Sequence, residues 1–177
     1  MLTWESERLV FIDESGVKTN MTRLYGRSTR GTRANDSAPH GHWSVRTLIS
    51  SIRADGETAC LSVDAATDSE IFQTYVLKIL VPTLRAGDIV VMDNLGSHKS
   101  PIVEELIVAA GASVEYLPPY SPDLNPIEKM WSKIKAHLRA KQARTSRTLH
   151  SAIRKAFDTI TAKDAKGWFA SCGYTIS

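Results

Sequence analysis

A chain of 177 residues that is 42% hydrophobic and 23% charged, with a formal net charge of +3, has enough apolar material to bury the core of one domain. No segment approaches the roughly 18 consecutive apolar residues of a membrane span. Residues 1–8 carry Glu5, Glu7 and Arg8 in place of a basic start and a long apolar stretch, so a signal peptide is not supported either. Cys60 and Cys172 lie far apart in no metal-like spacing, as expected of reduced thiols in a cytoplasmic protein.

In chain order, the apolar run Leu9-Val10-Phe11-Ile12 predicts a buried strand near 8–13, followed by a polar, basic segment. Strands near 43–52 and 57–63 come next, joined by the turn Ala54-Asp55-Gly56. Thr67-Asp68-Ser69-Glu70 has the pattern of a capping box and opens a helix with Phe72, Val76, Ile79 and Leu80 on one face, ended by Pro82. Ile89-Val90-Val91-Met92 reads as a fully buried strand near 88–93. Ser100-Pro101 starts a helix that Gly111 terminates, and Ser113-Val114-Glu115-Tyr116-Leu117 gives a fifth strand. A proline-rich loop then leads into a helix from Pro126 to about Gln142, with Ile127, Met130, Trp131, Ile134 and Leu138 on one stripe. A last helix near 147–161 buries Leu149, Ile153, Phe157 and Ile160. The order predicts an α/β fold with a mixed five-stranded sheet covered on both faces.

The small net charge conceals segregation. Residues 15–35 hold Lys18, Arg23, Arg27, Arg30 and Arg33 with no acid, and residues 129–157 hold nine basic residues, among them Lys135 and Arg139, again with no acid. Two basic bands on an acidic body fit a polyanionic partner, because lysine and arginine gain affinity for phosphates by counterion release. The plain alternative is a solvated helix face.

Three acids end predicted elements. Asp13 closes the first strand, Asp93 closes the strand after Met92, and Glu128 opens the helix behind Pro118-Pro119-Tyr120-Ser121-Pro122-Asp123-Leu124-Asn125-Pro126. Strand ends are where open α/β sheets expose their chemistry. Carboxylate oxygens hold hard divalent cations, and a pair of Mg²⁺ ions roughly 3.5–4 Å apart suits the in-line displacement of a phosphodiester. Each acid also has a structural reading. Asp13 and Asp93 fit turns after strands, and Asn125 with Glu128 fits a helix cap. Glu14 would point to the opposite side of a continuing strand. Asp123 reads as a turn residue, Trp43, Trp131 and Trp168 as core or docking aromatics, and Tyr120 either as a base-stacking group or as loop packing.

These blocks, Phe11-Ile12-Asp13-Glu14-Ser15, Val91-Met92-Asp93-Asn94-Leu95-Gly96-Ser97-His98-Lys99 and Pro118 to Glu128, with 34 residues between Asp93 and Glu128, resemble the DDE transposases of the mariner-like superfamily, bacterial insertion-sequence branch. The resemblance implies a ribonuclease H-like fold over residues 1–177 as a single catalytic domain, with Asp13, Asp93 and Glu128 binding two Mg²⁺ (Mn²⁺ as substitute). It implies metal-dependent cleavage of DNA at element ends and transfer of the 3′-hydroxyl into target DNA at TA. From position alone, Asn94 and His98 follow Asp93 closely enough to reach a bound phosphate or to order a metal-bound water, His98 fitting a cap of the following helix equally well; Lys99 joins them as a DNA contact, and helical phase sets Lys135 and Arg139 on the flank of Glu128, where they would follow a phosphate backbone.

Such transposases carry an N-terminal helix-turn-helix region, expected to be absent from this chain and supplied upstream, through a frameshift fusion, or by a partner chain. A homodimer acting on DNA in the bacterial cytoplasm, away from membranes, completes the expectation. The rival readings are a ribonuclease H-like nuclease without strand transfer and an inactive DNA-binding remnant of a decayed element.

Overall fold

The computed structural model describes residues 5–93 and 100–175. Five strands form one sheet in the order β3-β2-β1-β4-β5: β1 (Leu9–Lys18), β2 (Val45–Arg53), β3 (Thr58–Val63), β4 (Ile89–Met92) and β5 (Ser113–Tyr116). β1, β2 and β3 pair antiparallel, whereas β1 pairs parallel with β4 and β4 with β5, so the sheet is mixed as expected.

The central strand is longer than its apolar run. β1 continues to Lys18 because antiparallel pairing with β2 extends to Lys18 opposite Val45, and the inward positions Asp13, Ser15 and Val17 are buried although only Val17 is apolar. The irregular, largely exposed segment with Arg23, Arg27, Arg30 and Arg33 begins only after that.

Strand alternation splits the sheet into two apolar faces. Leu9, Phe11 and Val17 of β1 join Leu48, Ile52 and Val91 beneath α3 (Pro126–Lys141), α4 (Ser146–Phe157) and α5 (Ala162–Ser171). Val10, Ile12, Ile49, Val90 and Met92 face the other way, onto α1 (Ser69–Tyr75) and α2 (Pro101–Ala109). Each face removes several large side chains from water, at roughly 1.5–3 kcal/mol apiece.

Helix ends follow local chemistry, with two departures from expectation. The cap of α1 is Asp68, whose carboxylate accepts from the Ile71 amide at 2.8 Å, one residue later than a Thr67 box would place it. The helix then widens through Val76–Leu80 and tightens at Val81–Thr83, where Pro82 ends it. α4 stops at Phe157 rather than 161, and α5, unforeseen in the sequence, follows with Thr161 and Asp164 capping one another. Lys133 of α3 donates to Asp164 at 2.7 Å and to the Thr159 carbonyl at 2.7 Å. Those bonds, with the Thr161 contacts, hold the Asp164 carboxyl down at about 2. Phe169 of α5 meets Phe11 edge-on with ring centres 5.3 Å apart.

At the end of β4 remote from Asp93, a buried ion pair ties β2 to the entry of β4. Arg53, 2% exposed, donates to both oxygens of Asp88, 3% exposed, and to the Thr83 carbonyl at 2.9 Å, while the Arg85 amide donates to Asp88 at 2.6 Å. Burial alone would raise the Asp88 carboxyl, but the Arg53 hydrogen bonds, the Arg85 amide and both guanidinium charges outweigh it and hold it below its ordinary value of 3.8. A carboxyl with a depressed folded-state value adds stability that is complete above its ordinary value and disappears as pH falls through the folded one. Asp88→Ala strips the buried Arg53 of both its short carboxylate bonds and leaves it the Thr83 carbonyl and Glu57 at 3.6 Å, so denaturant unfolding at pH 7 should show a loss of roughly 3 kcal/mol, the low end for a broken buried pair. The variant should also lose part of the acid limb of the stability profile. A loss under about 1 kcal/mol would mean that the pair is not holding β4 in place.

Candidate active site

The parallel register of β1 and β4 brings the first two acids together. Leu9 lies opposite Ile89 and Phe11 opposite Val91, so two residues further on the same offset sets Asp13 beside Asp93. Alternation puts both on the face of Phe11 and Val91, the face covered by α3. Glu14 shares the opposite face with Ile12, as expected for a strand that continues. Asp13 is only 9% exposed, and one of its oxygens accepts from the Glu14 amide at 2.7 Å. Asp93 is half-buried just past the end of β4.

The third acid arrives on α3. The Leu117 amide donates to the Met92 carbonyl at 2.8 Å, which fixes the start of the proline-rich loop against the end of β4. A short turn at Pro122–Leu124 then brings the chain into α3, and Glu128 sits exposed in its first turn. Tyr174, beyond α5, donates to the Leu124 carbonyl at 2.8 Å and pins that turn from outside. Burial pushes the Tyr174 phenol up to about 12, so it stays a donor across the working pH range. Asp13, Asp93 and Glu128 all line one cleft of about 420 Å³, together with Leu117, Pro118, Pro119, Tyr120, Ser121, Pro122 and Asn125.

The helix-cap reading of Asn125 and Glu128 is not realised. Asn125 stands at the cap position, but its side chain makes no capping bond. Its amide donates to the Pro122 carbonyl at 3.2 Å, and the Glu128 amide reaches the Asn125 carbonyl instead, also at 3.2 Å. Asn125 is 5% exposed, and its side-chain oxygen is buried without a partner among the described residues. A buried acceptor left unpaired is costly, and this one lines the wall of the same cleft as three carboxylates. Sequence reasoning saw Asn125 only as a cap; the signal that would have singled it out, burial at a loop position, is not written in the local pattern.

The donor set suits a hard divalent cation: three carboxylates and a carboxamide oxygen, with no soft ligand among them. Cys60 lies across Ser50 from Asp13 in the strand register, but burial pushes its thiol up to about 12, so it remains protonated and a poor ligand. Among the described residues no three His, Cys, Asp or Glu side chains stand together as a metal-holding group, so the triad shares a cleft rather than a preformed cage.

Of the residues expected to contact DNA, Lys135 and Arg139 are half-buried on α3, on the flank of Glu128 at 100° per residue. Asn94, His98 and Lys99 fall outside the described residues. Asp123 is exposed in the turn and does not line the cleft. Trp131 is core at 2% exposure, Trp168 is half-buried, and Trp43 is 51% exposed and therefore not a core residue.

Residues 8–150 match the family described as DDE superfamily endonuclease. The chain belongs to that family. No curated protein sequence matches it. Among solved structures, it is similar to the Mos1 transposase paired-end complex with left transposon end (TM-score 0.74, 17% identity, covering 93% of this chain and 52% of that one). It is also similar to the catalytic domain of Mos1 mariner transposase (TM-score 0.65, 15% identity, 97% and 85%) and to the catalytic core domain of BIV integrase (TM-score 0.53, 14% identity, 85% and 81%). The fold of this family member is therefore the ribonuclease H-like fold of transposase and integrase catalytic domains. The chain spans about half the length of the paired-end transposase chain. No helix among the described residues is long and apolar enough to cross a membrane.

If Asn125 serves the cleft and not the helix, Asn125→Ala should shift the melting temperature little in metal-free buffer, because it deletes an unsatisfied acceptor rather than a made bond. Loss of a working cap would cost about 1 kcal/mol. A drop of that size, measured by thermal or denaturant unfolding, would restore the capping role.

Proposed function

We propose that this chain is the catalytic domain of an insertion-sequence transposase, which cuts DNA phosphodiester bonds at the ends of its element and joins the released 3′-hydroxyl to target DNA at a TA dinucleotide. The observation that carries the proposal is the meeting of Asp13, Asp93 and Glu128, from two parallel strands and one helix, around a single cleft in a DDE-family chain. Similar structures of Mos1, a paired-end complex with the left transposon end and paired-end complexes with Mg and with Mn, support DNA as substrate and divalent ions as cofactors.

In this reading Asp13, Asp93 and Glu128 hold two Mg²⁺, with Mn²⁺ as substitute. When bound, such ions lower the pKa of water and stabilise the charge that develops on the phosphodiester. The chain's own groups set the geometry. Asp13, almost fully buried and tied to the Glu14 amide, is the fixed reference, and Asp93 is placed by strand register. Glu128, exposed on the first turn of α3, is the arm that turns inward to close the site. Asn125 offers its unpartnered oxygen to a donor in the cleft. Lys135 and Arg139 continue from Glu128 along α3 and neutralise backbone phosphates leading away from the cut.

Phosphate contacts fix register without reading bases. End recognition is accordingly assigned to a helix-turn-helix domain upstream or on a partner chain, in keeping with the share of the paired-end transposase chain that this one spans. The active complex is a homodimer that brings two ends together in the bacterial cytoplasm.

Asp13→Asn, Asp93→Asn and Glu128→Gln keep shape and remove the charge that holds a hard cation. Each should abolish Mg²⁺-dependent nicking of an end-bearing duplex while the melting temperature in metal-free buffer changes by no more than a few degrees. Nicking retained in the Asp93→Asn protein would remove the assignment. Nicking by the wild type without joining of a pre-cut 3′ end would instead favour a nuclease without strand transfer.

A further inference from the structure

We propose that Tyr120 is a stacking platform for an unpaired DNA base beside the bond being cut; the inference rests on the reading of the cleft as a DNA-cutting site. Tyr120 is fully exposed at 102%, the most exposed of the large hydrophobic side chains among the described residues, yet it lines the cleft that holds Asp13, Asp93 and Glu128. Loop packing, the plain explanation of an aromatic in such a segment, is therefore absent: the ring is displayed.

The backbone enforces the display. Tyr120 has φ of 58°, in the left-handed region that a bulky residue avoids, where the crowding between Cβ and the carbonyl is unfavourable. The strain is held by its surroundings. Pro118, Pro119 and Pro122 each fix their own φ, the Leu117 amide binds the Met92 carbonyl, and the Tyr174 hydroxyl binds the Leu124 carbonyl, so both ends of the loop are anchored. Gly or Asn would adopt this conformation with less strain, and neither offers a ring. Strain maintained at a cleft to present one side chain points to a contact made by that side chain.

The contact that fits is a nucleobase. An aromatic face gains by stacking on the flat face of any base, independent of sequence, and a loop backbone already fixed loses little freedom when its side chain does so. Within a duplex both faces of a base are already covered, so the partner must be a base unpaired at or beside the cut. The tyrosine hydroxyl has no part in this, so other aromatic rings should serve.

The test uses the full 177-residue chain in metal-free buffer with two generic duplexes, one blunt and one with a short unpaired 3′ end carrying 2-aminopurine. The wild type should quench the 2-aminopurine and bind the unpaired-end duplex more tightly than the blunt one. Tyr120→Asn, which relieves the left-handed strain, should lose the quenching and about tenfold of that preference, with blunt-duplex affinity unchanged and the melting temperature no lower than that of the wild type. Tyr120→Phe and Tyr120→Trp should retain both. Quenching and preference unaltered in Tyr120→Asn, or lost equally in Tyr120→Phe, would overturn the proposal. An equal loss on both duplexes would likewise overturn it, in favour of a general backbone contact. If stacking fails while the wild type still nicks DNA with Mg²⁺, only the role of Tyr120 is lost; failure of the wild type to bind either duplex removes the underlying reading as well.

Discussion

The parallel pairing of β1 with β4 is the constraint on which the rest of the structure depends. It fixes an offset in which Phe11 faces Val91, and that offset, carried two residues past the paired stretch, brings Asp13 and Asp93 to the one cleft that both line. A slip of one residue would turn one of the two acids to the α1 and α2 side and dismantle the pair. The register is secured from both ends of β4. The Arg53–Asp88 clamp holds its entry, and the Leu117 amide on the Met92 carbonyl holds its exit. Between them, the apolar residues of β1 and β4 lock alternate side chains into two different cores.

With the strand acids placed, the remaining problem is to deliver a third carboxylate from a helix. The proline-rich loop does so with little conformational freedom, since its start is bonded to β4 and its end is pinned by Tyr174. α5 is thus part of the site's support although it contributes nothing to the cleft lining: through Phe169 on Phe11 and Lys133 on Asp164 it seats α3 and the C-terminal segment against the sheet. The cleft that results joins an exposed acid, Glu128, to an almost fully buried one, Asp13.

Much of this was legible in the sequence, for physical reasons that differ by element. The buried strands β1 and β4 announce themselves as continuous apolar runs because both of their faces are covered, and the stripe of α3 is plain because one helix face meets the sheet. The second half of β1 was hidden, because its inward positions alternate but are Asp13, Ser15 and Val17, of which only Val17 is apolar. α5 was missed although Ala165, Phe169 and Cys172 recur on one face, since Gly167 and the adjoining lysines mask a short helix. The candidate acids were readable from their positions at element ends and from their spacing. Asn125 was read as a cap and Tyr120 was left undecided, because burial of an unpartnered oxygen and a left-handed backbone are tertiary facts that no local pattern carries.

The proposed centre depends on strand register and a stiff loop bringing three carboxylates onto shared divalent cations. Titration of the wild-type chain with Mn²⁺, followed by calorimetry and by the electron paramagnetic resonance signal of the free ion, tests it without recourse to DNA. The account predicts saturable binding that weakens by at least about tenfold on neutralising any one of the strand or helix acids, since each supplies a charged oxygen ligand. Mn²⁺ binding indistinguishable between the wild type and Asp13→Asn would contradict it, showing that the acids share a cleft without sharing an ion.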